Sequence, residues 1–179
     1  DPAALDRGLA MCRRNWEATA KKGRLTMDQV EQRVALLTPT LDFNALSGAD
    51  IVLAGVSRTS KTPTSIYLAN RGYKTANIPI VPEAPPPPIL FTLRHPMVIG
   101  LVTSADRLIQ VRRNRLLSLN QRPETAYVDE DRVAKEVKYA RRMFADNGWP
   151  VIDVTRRSIE ETAAAVIRLY DDQKGSEEA

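Results

Sequence analysis

Residues 51–62 read Ile-Val-Leu-Ala-Gly-Val-Ser-Arg-Thr-Ser-Lys-Thr, a short apolar strand running directly into Gly55-x4-Ser60-Lys61-Thr62. The spacing is that of a phosphate-binding loop, G-x4-G-K-[ST], with Ser60 in place of the second glycine. Each position has a physical task. Gly55 lets the chain leave the strand in a tight turn. The backbone N–H groups of Val56, Ser57, Arg58, Thr59, Ser60 and Lys61 can curl into an anion-binding nest at a helix N-terminus. Lys61 is placed to reach a terminal phosphate, and the Thr62 hydroxyl to meet a magnesium ion. Pro63 suits the opening helical turn, where it needs no hydrogen-bond partner. A plain strand–helix junction that happens to contain lysine is the bland alternative. It does not explain why Ser57, Thr59, Ser60 and Thr62 crowd hydroxyls around one anion-sized turn.

The remainder of the chain supplies the frame that such a loop requires. Residues 3–22 carry Leu5, Leu9, Cys12 and Trp16 at helical spacing. A second helix is expected after Thr26 as N-cap, through Val30, Val34 and Leu37, ending before Pro39. Residues 1–45 thus read as a helical hairpin, and 46–179 as a separate domain. Within that domain Ile51–Ala54 is a buried strand and Thr62–Asn70 a helix closed by Gly72. Thr75–Val81 is a strand that Pro79 confines to an edge or an end. Five prolines stiffen the loop 82–88. Met97–Val102 is a third strand, and Ser104 caps a helix over Ala105–Leu119. Asp129 or Asp131 caps the next, over Val133–Asp146, ended by Asn147-Gly148. Val151–Val154 is a fourth strand, and Ser158-Ile-Glu-Glu161 a capping box opening a last helix to about Tyr170. The tail from Lys174 is expected to fray. Strands alternating with helices predict an α/β fold, a parallel sheet with helices on both faces.

Composition narrows the function. The 179 residues are 43% apolar and 27% charged, an ordinary globular balance. A single cysteine, Cys12, rules out an internal disulfide framework and a cysteine-rich zinc site. The chain suits a reducing, cytoplasmic compartment, with no apolar run that would span a membrane. The opening Asp-Pro-Ala-Ala reads as a cut inside a longer chain. The net charge of +4 is concentrated: Arg107, Arg112, Arg113, Arg115 and Arg122 face only Asp106 in residues 105–122. Without interleaved aromatics this favours a phosphate pocket over nucleic acid.

Three further groups could carry chemistry. Arg112 and Arg115 fall on the same helical side as Leu108, Ile109, Val111 and Leu116. An inward guanidinium needs a carboxylate or phosphate, unless its stem packs while its head snorkels to water. Asp153, near the end of the fourth strand, could orient magnesium, take a hydroxyl proton or cap the following turn. Arg156 and Arg157 could meet a second phosphate. His95, the sole histidine, reads as a surface residue. Trp16, Phe91, Phe144 and Trp149 read as core or interface.

The motifs together carry a resemblance. Gly55-Val-Ser-Arg-Thr-Ser-Lys-Thr-Pro-Thr-Ser-Ile-Tyr-Leu-Ala-Asn-Arg-Gly72 is similar to the regulatory proteins of pyruvate,phosphate dikinase and phosphoenolpyruvate synthase. So are Ala76-Asn-Ile-Pro-Ile-Val-Pro82, Gly100-Leu101 before Arg112-Arg113-Asn-Arg115-Leu116, and Ile152-Asp-Val-Thr-Arg-Arg-Ser-Ile-Glu-Glu-Thr-Ala163. The likeness covers about residues 45–179. It implies a P-loop nucleoside-triphosphate-hydrolase-like kinase core and a bifunctional serine/threonine kinase and phosphorylase. One activity phosphorylates a threonine of the dikinase or synthase with ADP, leaving AMP. The other removes that phosphate with inorganic phosphate, releasing pyrophosphate. Gly55 to Thr62 would form the nucleotide site, with Thr62 on Mg2+. Lys61, Arg112, Arg115 and Asp153 would act in catalysis. The partner is the dikinase or synthase, with no nucleic acid or membrane involved, and a homodimer is left open.

Residues 1–45 depart from that pattern. Asp1-Pro-Ala-Ala-Leu-Asp-Arg-Gly-Leu-Ala and Gly23-Arg-Leu-Thr-Met-Asp-Gln-Val resemble part of 3-hydroxyacyl-CoA dehydrogenase, as does Thr38-Pro-Thr-Leu-Asp. This suggests a chimera joined near residues 44–50. The competing readings are an inactive α/β scaffold with an anion site and a small-molecule P-loop kinase.

Overall fold

The computed structural model describes residues 1–120 and 125–177 and falls into two compact units, Asp1–Ala45 and Leu46–Ala179. The first unit holds two helices, α1 (Pro2–Lys21) and α2 (Met27–Ala35). Thr26 caps α2 through a complete capping box: its hydroxyl accepts from the Gln29 N–H while the Gln29 side chain accepts from the Thr26 N–H. Arg13 on α1 grips Glu31 on α2 with two nearly parallel bonds of 2.6 and 2.8 Å.

The second unit is an α/β sandwich. Its four strands are β1 (Ile51–Gly55), β2 (Thr75–Pro79), β3 (Met97–Val102) and β4 (Val151–Asp153). All pair in parallel, in the order β2-β1-β3-β4. Pro79 ends β2 at the sheet edge, where its missing N–H breaks no ladder. The helices are α3 (Lys61–Ala69), α4 (Ala105–Ser118), α5 (Glu130–Asp146) and α6 (Ile159–Glu177).

The strands sort their side chains by alternation, and each face recruits its own helices. Val52, Ala54, Val98 and Val102 point to the layer formed by α4 and α5, with Leu108, Ile109, Val133, Val137 and Phe144. Ile51, Leu53, Ile99 and Leu101 point the other way, to Leu68 of α3 and Ala163, Val166 and Tyr170 of α6. Gly100 is required by packing: a Cβ there would lie 2.4 Å from the Phe144 ring. Phe91 joins Phe144 and Trp149, which are remote from it in sequence, in one aromatic group, stacked on Trp149 at 5.8 Å.

Two details differ from the sequence reading. The last helix does not stop near Tyr170; it runs to Glu177, through Gly175. The Lys174 ammonium lies 4.7 Å from the centroid of the Tyr170 ring, and the Ser176 hydroxyl bonds back to the Asp172 carbonyl, so the stretch from Lys174 to Glu177, expected to fray, is helical; residues 178 and 179 lie outside the described residues. The proline segment also contains a short 3-10 turn, Pro88–Phe91, that buries Leu90. Arg122 lies outside the described residues.

The topology positions the site. From β1 the chain moves outward to β2 and then returns to β3 on the other side of β1. The connections leaving β1 and β3 therefore diverge, opening a crevice at the carboxyl ends of these two strands, where open parallel sheets place ligands.

Candidate active site

The loop after β1 has the shape its sequence asks for, with the labour divided differently. Gly55 is still within the strand, so the turn does not depend on it. A Cβ at Gly55 would sit 2.5 Å from the Leu101 carbonyl oxygen of β3 and 2.8 Å from the Thr59 hydroxyl. Close approach, rather than a turn, therefore excludes a side chain. The turning is done by Arg58 and Ser60, at φ of 72° and 57°. Left-handed residues alternating with ordinary ones direct successive amides to one side, making a nest. The amides of Ser57, Arg58, Thr59, Ser60 and Lys61 donate to no backbone carbonyl among the described residues. Inside the turn, the buried Thr59 hydroxyl donates to the Val56 carbonyl at 3.0 Å and braces it.

Lys61, the first residue of α3, folds back under the loop and donates to the carbonyls of Gly55 and Val56, both at 2.8 Å. Burial, helped by the charge of Arg112, lowers its ammonium from the usual 10.5 to about 8. Two of its three protons are engaged, leaving one donor for a ligand. Thr62 is exposed in the first turn of the same helix.

Arg112 points inward as expected, at 1% exposure, but its anion is supplied by the protein itself. The guanidinium donates to both oxygens of Glu136 on α5, at 2.6 and 3.3 Å, and to the Tyr127 carbonyl at 3.0 Å. It also covers the Tyr127 ring, 4.4 Å from its centroid. Arg115, expected beside it, is exposed. The buried stripe of α4 centres between Arg112 and Leu116, and Arg115 lies roughly 75° from that centre at about 100° per residue.

Asp153 is tied into the fold. Its carboxylate accepts the Thr155 amide at 2.9 Å, the Thr155 hydroxyl, and Arg141 of α5 at 3.2 Å. Burial pushes its acidity toward higher pH, but the two Thr155 bonds and Arg141 together outweigh this and hold the carboxyl below the usual range. The Thr155 hydroxyl in turn accepts from the Ser104 amide at 3.0 Å and the Thr103 hydroxyl at 3.3 Å. This clasp locks the ends of β3 and β4 together. Asp153 thus takes the turn-capping role, and Thr155, two residues on, is the group that reaches the crevice.

A cavity of about 930 Å³ opens at this edge, large enough for a nucleotide. Arg58 and Ser60 of the loop line it, with Thr103 and Ser104 after β3 and Thr155 after β4. Arg107, Arg156 and Arg157 join Arg58, so four guanidiniums face one carboxylate, Asp106. Ser104 caps α4 and Ser158 opens α6, so two more helix N-termini meet here, each favouring negative charge. Arg156 and Arg157, expected from the sequence to meet a second phosphate, both line this cavity. Arg107, Ser104 and Thr155 were not singled out as ligand contacts, although Arg107 belongs to the basic stretch and Ser104 reads as a cap. His95 is exposed. Among the described residues, no three His, Cys, Asp or Glu side chains gather as a metal site, and no helix is long and apolar enough to cross a membrane.

Comparison with known proteins agrees with this geometry. A relative from Sphingopyxis alaskensis, bearing the name pyruvate, phosphate dikinase regulatory protein, is 79% identical over 125 residues, 70% of this chain and 46% of the relative. Relatives with the same name from Novosphingobium aromaticivorans (78% over 125 residues, 70% of the chain, 45% of the relative) and Caulobacter vibrioides (60% over 133 residues, 74% and 42%) match similarly. The chain spans under half the length of these curated relatives. A chimeric origin for residues 1–45 finds no support in these matches. The kinase/pyrophosphorylase family model matches residues 40–167, starting upstream of the junction expected at 44–50 and enclosing both the phosphate loop and the arginine-lined cavity. The chain belongs to the kinase/pyrophosphorylase family.

Proposed function

We propose that this chain carries the nucleotide-binding half of an ADP-dependent protein threonine kinase and pyrophosphate-forming phosphorylase, acting on pyruvate,phosphate dikinase or phosphoenolpyruvate synthase. The observation that supports it most is the convergence of the loop, three helix N-termini and four arginines on one cavity at the sheet edge. In the kinase reaction the target threonine oxygen attacks the β-phosphorus of ADP, the bridging P–O bond breaks, AMP leaves and the hydroxyl proton passes to solvent. In the second, separate reaction an oxygen of inorganic phosphate attacks the phosphothreonine phosphorus, the threonine P–O bond breaks, and the freed threonine oxygen takes up a proton as pyrophosphate forms.

The loop amides and Lys61 hold the β-phosphate; the same cradle takes inorganic phosphate for the phosphorylase reaction. Arg58, Arg107, Arg156 and Arg157 offset the charge that spreads over the transferring group, a role first sought in Arg112 and Arg115. Asp153 serves through Thr155, whose position it fixes. Thr62 is the loop's candidate magnesium ligand. A single protein oxygen fits that ion, which keeps several waters and takes phosphate oxygens for the rest. When bound, magnesium neutralises charge on the phosphoryl oxygens.

Calorimetry with ADP, with and without magnesium, tests the reading. Wild-type chain should bind, and Lys61→Ala should weaken binding at least tenfold. Equal affinity in the two would remove the loop from the nucleotide site, and a preference for ATP would point to a small-molecule kinase instead.

A further inference from the structure

The phosphate loop is held from outside by a residue no motif contains. Ser57 Oγ and the Tyr127 hydroxyl lie 3.2 Å apart and share a hydrogen bond across 70 residues of sequence. Ser57 and Arg58 are otherwise exposed, so this bond tethers the outer arm of the turn, opposite the brace that Thr59 supplies inside it. Tyr127 is itself fixed. The Arg112 guanidinium lies against its ring and bonds its carbonyl, while Glu136 holds Arg112 at the other end. Glu136 also lies 3.9 Å from Arg132, which bonds Glu83 of the proline segment at 3.0 Å. The tether is therefore anchored to a side chain held at both its ring and its carbonyl by the buried Arg112.

From this we infer that Tyr127 is a positioning residue for nucleotide binding: its hydroxyl, aimed by Arg112 and Glu136, holds Ser57 so that the loop amides stay turned toward the phosphate. This rests on the reading of residues 55–62 as the phosphate site. A preorganised nest binds better because the loop need not be ordered on binding. Arg112 thus contributes to the site without touching ligand.

Tyr127→Phe removes only the hydroxyl and keeps the ring and carbonyl that Arg112 uses. ADP calorimetry in the presence of magnesium should show affinity about 3- to 10-fold weaker, the worth of one neutral hydrogen bond, at an unchanged melting temperature. Ser57→Ala should match it, the double variant should be no weaker than either single one, and Ser57→Thr should retain wild-type affinity. A purely structural tyrosine would not give that non-additivity. Wild-type affinity in Tyr127→Phe, or additive losses in the double variant, overturns the inference. Lys61→Ala separates the two ideas. If it abolishes binding while Tyr127→Phe changes nothing, the tether fails and the phosphate loop stands. If Lys61→Ala binds normally, or the wild-type chain binds no ADP, both fall.

Discussion

The cations around the sheet edge form two sets that look alike in sequence and behave differently in space. Lys61 and Arg112 make the inner set, each withdrawn from water and already bonded to protein oxygens. Arg58, Arg107, Arg156 and Arg157 make the outer set, exposed and lining the cavity. Desolvating a cation is costly, so the fold supplies the inner members with fixed partners, and those partners restrict what else they can do. The outer members remain hydrated and can exchange water for phosphate oxygens on binding. Site architecture is thus divided between groups that set shape and potential and groups that grasp.

The sharpest way to break that division is Arg112→Ala. It leaves Glu136, a mostly buried carboxylate at 14% exposure, with only the more distant Arg132 at 3.9 Å, and strips the Tyr127 ring and carbonyl of their partner. Stability should fall by about 3–5 kcal/mol, read from chemical denaturation. A loss below about 1 kcal/mol would place Arg112 with the surface pairs and dissolve the inner set. Arg156→Ala and Arg157→Ala should do the opposite. Each should leave stability within about 0.5 kcal/mol while weakening ADP binding by about 1.5–3 kcal/mol, a loss that shrinks in high salt. If they unfold the chain instead, the outer set is structural.

Sequence reasoning reached the elements because their signals are local. The N-cap at Thr26, the capping box at Ser158, the edge proline Pro79 and the spacing from Gly55 to Thr62 each lie within a few residues of what they control. It failed where the deciding partner is remote. Helical period placed Arg112 and Arg115 on one broad face but could not find the centre of the buried stripe, which the packing of α5 decides. Nothing in the sequence near Tyr127 announces Ser57, 70 positions away. Asp153 read both as a catalytic candidate, for its strand-end position, and as a cap for the following turn; the Thr155 bonds are local, and only the claim of Arg141 depends on helix α5. Helix α6 outran its expected end near Tyr170 and continues through Gly175 to Glu177.

The pH dependence of binding sharpens the inner set further. Lys61 titrates near 8 in the free protein because of burial and Arg112. Phosphate favours the ammonium form and raises that value in the complex. Below pH 8 the lysine is already charged and affinity is flat. Above it, binding must take up a proton, so affinity should fall up to tenfold per pH unit, about 1.4 kcal/mol, until the complex itself titrates. Calorimetry at pH 9 in buffers of different ionisation enthalpy should report that uptake, and Lys61→Arg should abolish it. Folding carries the opposite sign. A lysine whose value is depressed on folding costs stability while charged, so stability from this group should rise between pH 8 and the unfolded value near 10.5.

The smallest effect concerns Ser60, which joins the two sets: its side lines the cavity, and Lys61 follows it. At φ 57° and ψ 19° it holds a left-handed conformation that a Cβ disfavours, and its side chain makes no capping bond to offset this. Ser60→Gly restores the ordinary phosphate-loop residue and removes that local cost. It also gives the unfolded chain more freedom to lose. The two terms nearly cancel, so stability should change by under about 1 kcal/mol, in either direction, by thermal melting. Binding is the more telling measurement. If the loop is preorganised by the Thr59 brace and Lys61 beneath it, the glycine variant should bind ADP within about threefold of wild type, since the nest is made by amides that both residues possess. A tenfold loss would show that the Ser60 hydroxyl itself grasps ligand, moving it from the shape-setting groups to the outer set.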